Sequence, residues 1–199
     1  MIRLVSEETL RRLLSISSEK KLAFLALLYQ RMVPELRSFC VAEDRDYSAF
    51  QRFQEQLWHQ IANRGSSTSW RELRDRMLDA TPDSEDFGTP AASSALSAAL
   101  LAVAITEFID DREDSHVLDA IGYALESVDA KAIGELEAPV VDLAVDSYVS
   151  SHPLVERERR AEESDVIFLT ELPEAPWPSS MLSMLHARAV NQSTLLGSE

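Results

Sequence analysis

Apolar residues recur three and four positions apart along most of this chain, the spacing that places them on one face of an α-helix. Alternating β-type runs are nearly absent, and only five glycines interrupt the 199 residues. Ser6 is placed to cap a first short helix, with Glu7 and Glu8 in its first turn and Leu10, Leu13 and Leu14 as its stripe. A second helix starts near Ser18 and carries LAFLALLY, Leu22 to Tyr29, apolar at every position. A helix apolar all round must be covered all round, so this is the expected central element. Pro34 lacks an N–H and clashes with the preceding turn; the helix is expected to bend or restart there.

Tyr47, Phe50, Phe53, Leu57, Trp58 and Ile61 form the next stripe. Ser69 and Glu72 have the spacing of a capping box, opening a helix with Leu73, Met77 and Leu78. TPDSEDFGTP, Thr81 to Pro90, is turn chemistry. After it runs AASSALSAALLAVAITEFI, whose small residues at 91, 95, 98, 99 and 102 would let backbones approach closely. This is the expected second buried helix, packed against Leu22–Tyr29.

Beyond IDDREDSH, a stripe from Val117 to Ala132 resumes, with Ser115 placed to cap it. Pro139 and Pro153 each suit a helix start, the latter opening the charged stretch LVERERRAEESDVIFL. LPEAPWPSS, Leu172 to Ser180, breaks the pattern before a short amphipathic piece, MLSMLHARA, and an end expected to fray. The expected fold is all-α: a single globular domain of seven to nine helices around two buried apolar ones. It spans residues 1–172, with 173–199 as a proline-rich break, short helix and tail.

Charge changes the picture of partners. Residues 1–80 hold 13 basic and 11 acidic residues, whereas 81–199 hold 6 and 23, which together give the net charge of −15. A surface this acidic repels phosphate backbones and anionic membranes, so neither nucleic acid nor membrane is an expected partner. No signal peptide is expected, because the first twenty residues are charged and lack a continuous apolar core. The lone cysteine, Cys40, cannot form an internal disulfide and reads as a small core residue in a reducing, cytoplasmic compartment.

Candidate chemistry is sparse. DDRED, Asp110 to Asp114, formally matches the D-D-x-x-D pattern that holds magnesium–diphosphate, because hard carboxylate oxygens suit Mg²⁺. That chemistry needs a second motif on a facing helix and a larger apolar cavity, so a solvated inter-helix corner is the favoured reading. Asp83, Glu85 and Asp86 lie beyond the other end of a helix roughly 30 Å long, too far to share one metal. His59, His116, His152 and His186 lack metal-ligand spacing, and no phosphate loop or nucleophile elbow occurs. No catalytic residue, metal or cofactor is assigned.

Arg31 is the residue singled out. It ends an apolar run, so its guanidinium is expected near the core boundary with a carboxylate partner, Glu156 or Asp86; the functional reading has it holding an anionic ligand or partner. Trp58 and Trp70 read mainly as core residues, and Trp177, among prolines, as an exposed contact. The binding set expected from sequence is Arg31, Trp58, Asp86 and Glu156.

FLALLYQRMVPELRSFC, with Arg31, Met32, Pro34, Phe39 and Cys40, resembles the YjaG-like family, a helical domain of unknown function (416). Leu57–Trp58, PDSEDF and HPLVERE are similar to the family's aromatic helix, acidic turn and long-helix start. The chain departs from the pattern at LPEAPWPSS, where the family usually continues as a helix. The resemblance implies an all-helical cytoplasmic fold and no particular activity. The favoured function is a non-catalytic interaction or regulatory module, with a second copy or another protein as partner. The alternatives are a carboxylate enzyme of small molecules, with or without Mg²⁺, and an acidic decoy of nucleic acid.

Overall fold

Leu22–Tyr29 is the most deeply covered stretch of the computed structural model, which describes residues 6–62, 69–83, 88–136 and 148–196. None of its eight side chains is more than 3% exposed. The described residues form eight helices and no strand: α1 (Glu7–Ser15), α2 (Ser18–Ala42), α3 (Ser48–Ile61), α4 (Trp70–Ala80), α5 (Pro90–Asp111), α6 (Asp114–Gly134), α7 (Pro153–Glu171) and α8 (Ser179–Leu196). A helical turn at 148–151 precedes α7. The expected helix at Pro139 and the acids Glu85 and Asp86 lie outside the described residues.

The two greasy helices meet as the sequence implies. α5 packs on α2 and still more extensively on α6. Ser94, Ala95, Ala98, Ala99 and Ala102 are all buried, and their short side chains permit that approach. Ser127 Oγ of α6 donates to the Ser94 carbonyl at 3.2 Å, and the two hydroxyls lie 2.7 Å apart, so the seam satisfies its own polar groups. At its far end a Cβ added to Gly134 would stand 3.1 Å from Pro90. α5 is the one described helix long and apolar enough to cross a membrane, but 72% of its apolar window is buried inside the fold, as a core helix is.

Local signals set several boundaries. Ser6 accepts from the Thr9 amide at 3.1 Å, Thr89 from Ala92 at 3.2 Å, and Ser69 from Glu72 at 3.5 Å. Pro90 and Pro153 occupy first-turn positions, where a missing N–H costs nothing.

Three boundaries correct the sequence reading. α2 runs through Pro34 without restarting. Proline in a helix costs about 3 kcal/mol, but Leu36, Phe39 and Cys40 beyond it continue the buried face, and a buried Leu or Phe returns about 1.5–3 kcal/mol each. Ser115 does not cap α6: Arg112 ends α5 in the left-handed region at φ 65°, Asp111 accepts from the Glu113 amide at 2.9 Å, and Glu113 takes the cap position, so α6 begins at Asp114. Trp177 is not an exposed contact. It is 7% exposed, its Nε1 donates to the Pro173 carbonyl at 2.9 Å, and it closes the proline-rich linker onto the core.

The helix after that linker extends from Ser179 to Leu196, longer than the expected short piece. It packs chiefly on α2, with Leu185 and Ala189 fully buried.

Candidate functional site

Arg31 lies in the interior, 1% exposed, where α2, α7 and α8 meet. An arginine there must find fixed carboxylates, because an unpaired buried charge is prohibitive. Its Nε donates to both Glu158 oxygens at 2.8 and 3.0 Å, and Nη1 donates to Asp165 Oδ2 at 2.6 Å and Gln192 Oε1 at 2.9 Å. Nη2 stands 2.7 Å from Glu158 Oε1, an ionic contact without hydrogen-bond alignment. α8 closes the set: Arg188 Nε and Gln192 Nε2 donate to Asp165 Oδ1 at 2.6 and 2.9 Å. Arg188 also reaches Ser164 Oγ at 2.7 Å and lies over the Phe168 ring at 4.7 Å. The expected partner of Arg31 is therefore corrected. Glu156 instead binds Arg159 and Arg160 on the partly exposed side of α7.

Glu158, Glu162 and Asp165 are each fully buried. Their spacing of four and three puts them on the face of α7 that also carries Val155, Val166 and Leu169. Burial alone would weaken the charge of Arg31, but Glu158 and Asp165 outweigh it and hold the guanidinium above its ordinary range. Glu162 has the opposite fate. Neither of its oxygens has a hydrogen-bond partner, and burial, reinforced by Glu158, pushes its carboxyl well above the ordinary range against the pull of Arg31. Glu158 and Asp165 make the direct ion pairs with Arg31 and Arg188.

Beside Arg31, Met32, Ser127 and Leu154 the free space is about 20 Å³, which suits roughly one water. That space lies on the α2–α6 side of Arg31, and Arg188 leaves the α8 side of the cluster partly exposed. Larger clefts lie elsewhere. One of about 540 Å³ between α3 and α4 is lined by Arg45, Arg52, Arg76, Asp46 and Asp79. Another, of about 270 Å³, gathers Leu22, Ile61 and Trp177 with Glu19, Gln60 and Arg112.

Three acids of the α5–α6 corner are dispersed onto separate partners. Asp110 faces Arg74 at 3.5 Å, Asp111 meets His116 Nε2 at 3.0 Å, and Asp114 binds Lys21 at 2.6 Å. No group of three or more metal-ligating side chains able to hold an ion occurs among the described residues. Trp58 is partly buried between α3 and α8, its ring edge-on to His186 at 5.0 Å, and shares no partner with Arg31.

Residues 8–190 match the family described as Protein of unknown function (DUF416). The chain belongs to the DUF416 family. A DUF416 family protein from Shewanella baltica OS155, solved at 1.91 Å, superposes with a TM-score of 0.79 over 92% of this chain and 93% of that one, at 20% identity. No curated protein matches the chain. The DUF416 match runs past the proline-rich linker into α8, the helix that closes the Arg31 cluster. Sequence reasoning found Arg31 but missed Glu158, Glu162, Asp165, Arg188 and Gln192. The available signal was phase, because the three acids fall in step with the apolar positions of α7.

Proposed function

We propose that this DUF416 protein is a non-catalytic interaction or regulatory module of the cytoplasm. The observation that carries this reading is the burial of Arg31, Glu158, Glu162 and Asp165, none more than 1% exposed. A reactive centre needs room for a substrate beside its acid and base, whereas Glu158, Glu162 and Asp165 are fully buried and Glu158 and Asp165 are already engaged by Arg31. In this reading the cluster is a fastener: Arg31, on the central helix, holds α7 through Glu158 and Asp165 and α8 through Gln192. It fixes the outer faces that α7 and α8 present, where Ile167, Met184 and Val190 are 50%, 44% and 40% exposed. A second copy is the proposed partner for those faces.

Two measurements test it. Wild-type protein incubated with esters, amides, phosphoesters and isoprenoid diphosphates, with and without Mg²⁺, is expected to turn over none of them. Sustained turnover that is lost in a folded Glu158→Gln variant would overturn the reading. Gel filtration with light scattering is expected to give a dimer; a monomer at high micromolar concentration removes the second copy as partner.

A further inference from the structure

The cleft of about 270 Å³ is assembled from four separate parts of the chain: the start of α2, the end of α3, the α5–α6 corner and the α7–α8 linker. Leu22, Ile61 and Trp177, each buried as a residue, give it apolar surface. The Trp177 N–H is already spent on Pro173, so the indole offers only its hydrocarbon surface. Three polar side chains join these walls: Arg112, Gln60 and Glu19.

Arg112 is the informative one. Its Nη1 is buried yet has no hydrogen-bond partner, although it sits in a corner rich in acids. Three of those acids are engaged elsewhere: Asp110 with Arg74, Asp111 with His116 and Asp114 with Lys21. Its guanidinium is backed by the Phe108 ring at 5.5 Å, and its backbone holds φ 65°, a conformation that side-chain-bearing residues rarely adopt. The buried Nη1 is closed to a ligand in the cleft, but no carboxylate among the described residues neutralises the guanidinium, which lines the cleft and suits a ligand carboxylate. Glu19 supplies the opposite charge, and among the described residues no ion pair engages it.

We infer that this cleft binds a free α-amino acid with an apolar side chain. The ligand carboxylate meets Arg112, its ammonium meets Glu19, and its side chain lies against Leu22, Ile61 and Trp177. The cleft's volume of about 270 Å³ admits a leucine- or phenylalanine-sized molecule. A bound amino acid would bridge the α5–α6 corner and the α7–α8 linker to α2. The inference rests on the reading of the protein as a regulatory module, and supplies its ligand.

Calorimetric titration of the full chain with L-leucine and L-phenylalanine tests this, with leucinamide and 4-methylpentanoate as controls lacking the carboxylate charge and the amine. Saturable, sub-millimolar binding is expected for at least one amino acid, weakened about tenfold or more in leucinamide, in 4-methylpentanoate, in Arg112→Gln and in Glu19→Gln. Arg112→Asn, which suits the left-handed backbone, replaces Arg112→Gln should the latter not fold. Absence of binding by both amino acids overturns the inference, as does undiminished binding by either control or in the Arg112 variant. Proton NMR of the same mixtures separates the two readings: conversion of a bound amino acid to product would overturn the non-catalytic assignment and leave the site standing.

Discussion

Arg31 and Asp165, 134 residues apart in the chain, meet at 2.6 Å with both side chains essentially removed from solvent. Their ion pair lies between α2 and α7, and Arg188 and Gln192 extend it to α8. Breaking such a pair from one side leaves a buried charge without its counterion, which costs about 3–5 kcal/mol. Arg31→Ala is therefore expected to lose stability on that scale in urea denaturation. Arg31→Lys keeps the charge but cannot reproduce the fork to Glu158 and Asp165, and is expected to fall between the two proteins.

Glu162 gives the molecule a pH dependence of definite sign. Its carboxyl is raised in the folded state by burial and then by Glu158, so the folded protein holds a proton that the unfolded chain releases at ordinary carboxylate pH. Its contribution to stability is present below the unfolded value, near pH 4.3, and is lost as pH rises toward the folded value. Glu162→Gln removes that loss. The variant is expected to gain stability relative to wild type as pH rises above about 4.3, with the difference flat below it; denaturation midpoints between pH 4 and 8 check this.

The corner acids are expected to behave as surface groups. Asp110→Asn and Glu113→Gln should each shift stability by no more than about 0.5 kcal/mol. Asp111→Ala removes the acceptor for the Glu113 amide and the His116 contact, and should lower the thermal midpoint more than either of those changes. Millimolar Mg²⁺ is expected to leave the thermal midpoint unchanged; a rise would place a metal at this corner.

The α5–α6 seam should resist enlargement. Ala98 and Ala99 are fully buried on a helix whose neighbours approach closely. Ala98→Leu is expected to cost about 1–3 kcal/mol or more through overpacking, against a smaller effect for Ala91→Leu on the exposed first turn. Thermal denaturation of the pair is the measurement.

Cys40 should be nearly silent to thiol reagents. It is 1% exposed, and burial pushes its thiol above the usual range, so little thiolate is available. Labelling by a disulfide reagent at pH 7.5 is expected to be slow in native protein and complete within seconds in denaturant.

How much of this was legible in the sequence depended on whether the signal was local. LAFLALLY has no polar face, and AASSALSAALLAVAITEFI carries only small hydroxyl residues and a single charge among its apolar ones, so both had to be interior. Ser6 capping α1, and Pro90 and Pro153 opening α5 and α7, are decided within one turn of chain. The restart expected at Pro34 does not occur, because the buried residues beyond it outweigh its local penalty. Glu158 and Glu162 resemble the exposed charges beside them on α7, and nothing nearby shows that α8 returns to cover them. The partner of Arg31 was out of reach for the same reason: the contact spans more than a hundred residues. Trp177 looked exposed because prolines usually mark surface loops, yet its indole closes the linker that brings α8 home.

The order of the two central helices along the chain also bears on biosynthesis. α5 is apolar enough to pass for a bilayer segment as it leaves the ribosome, and its immediate neighbour α6 has not yet been made. α2 has, some fifty residues earlier, and offers a greasy surface on which the newcomer can settle. A circular permutant that delivers α5 before α2 would deprive the nascent helix of that host, leaving chaperones or membranes to compete for it.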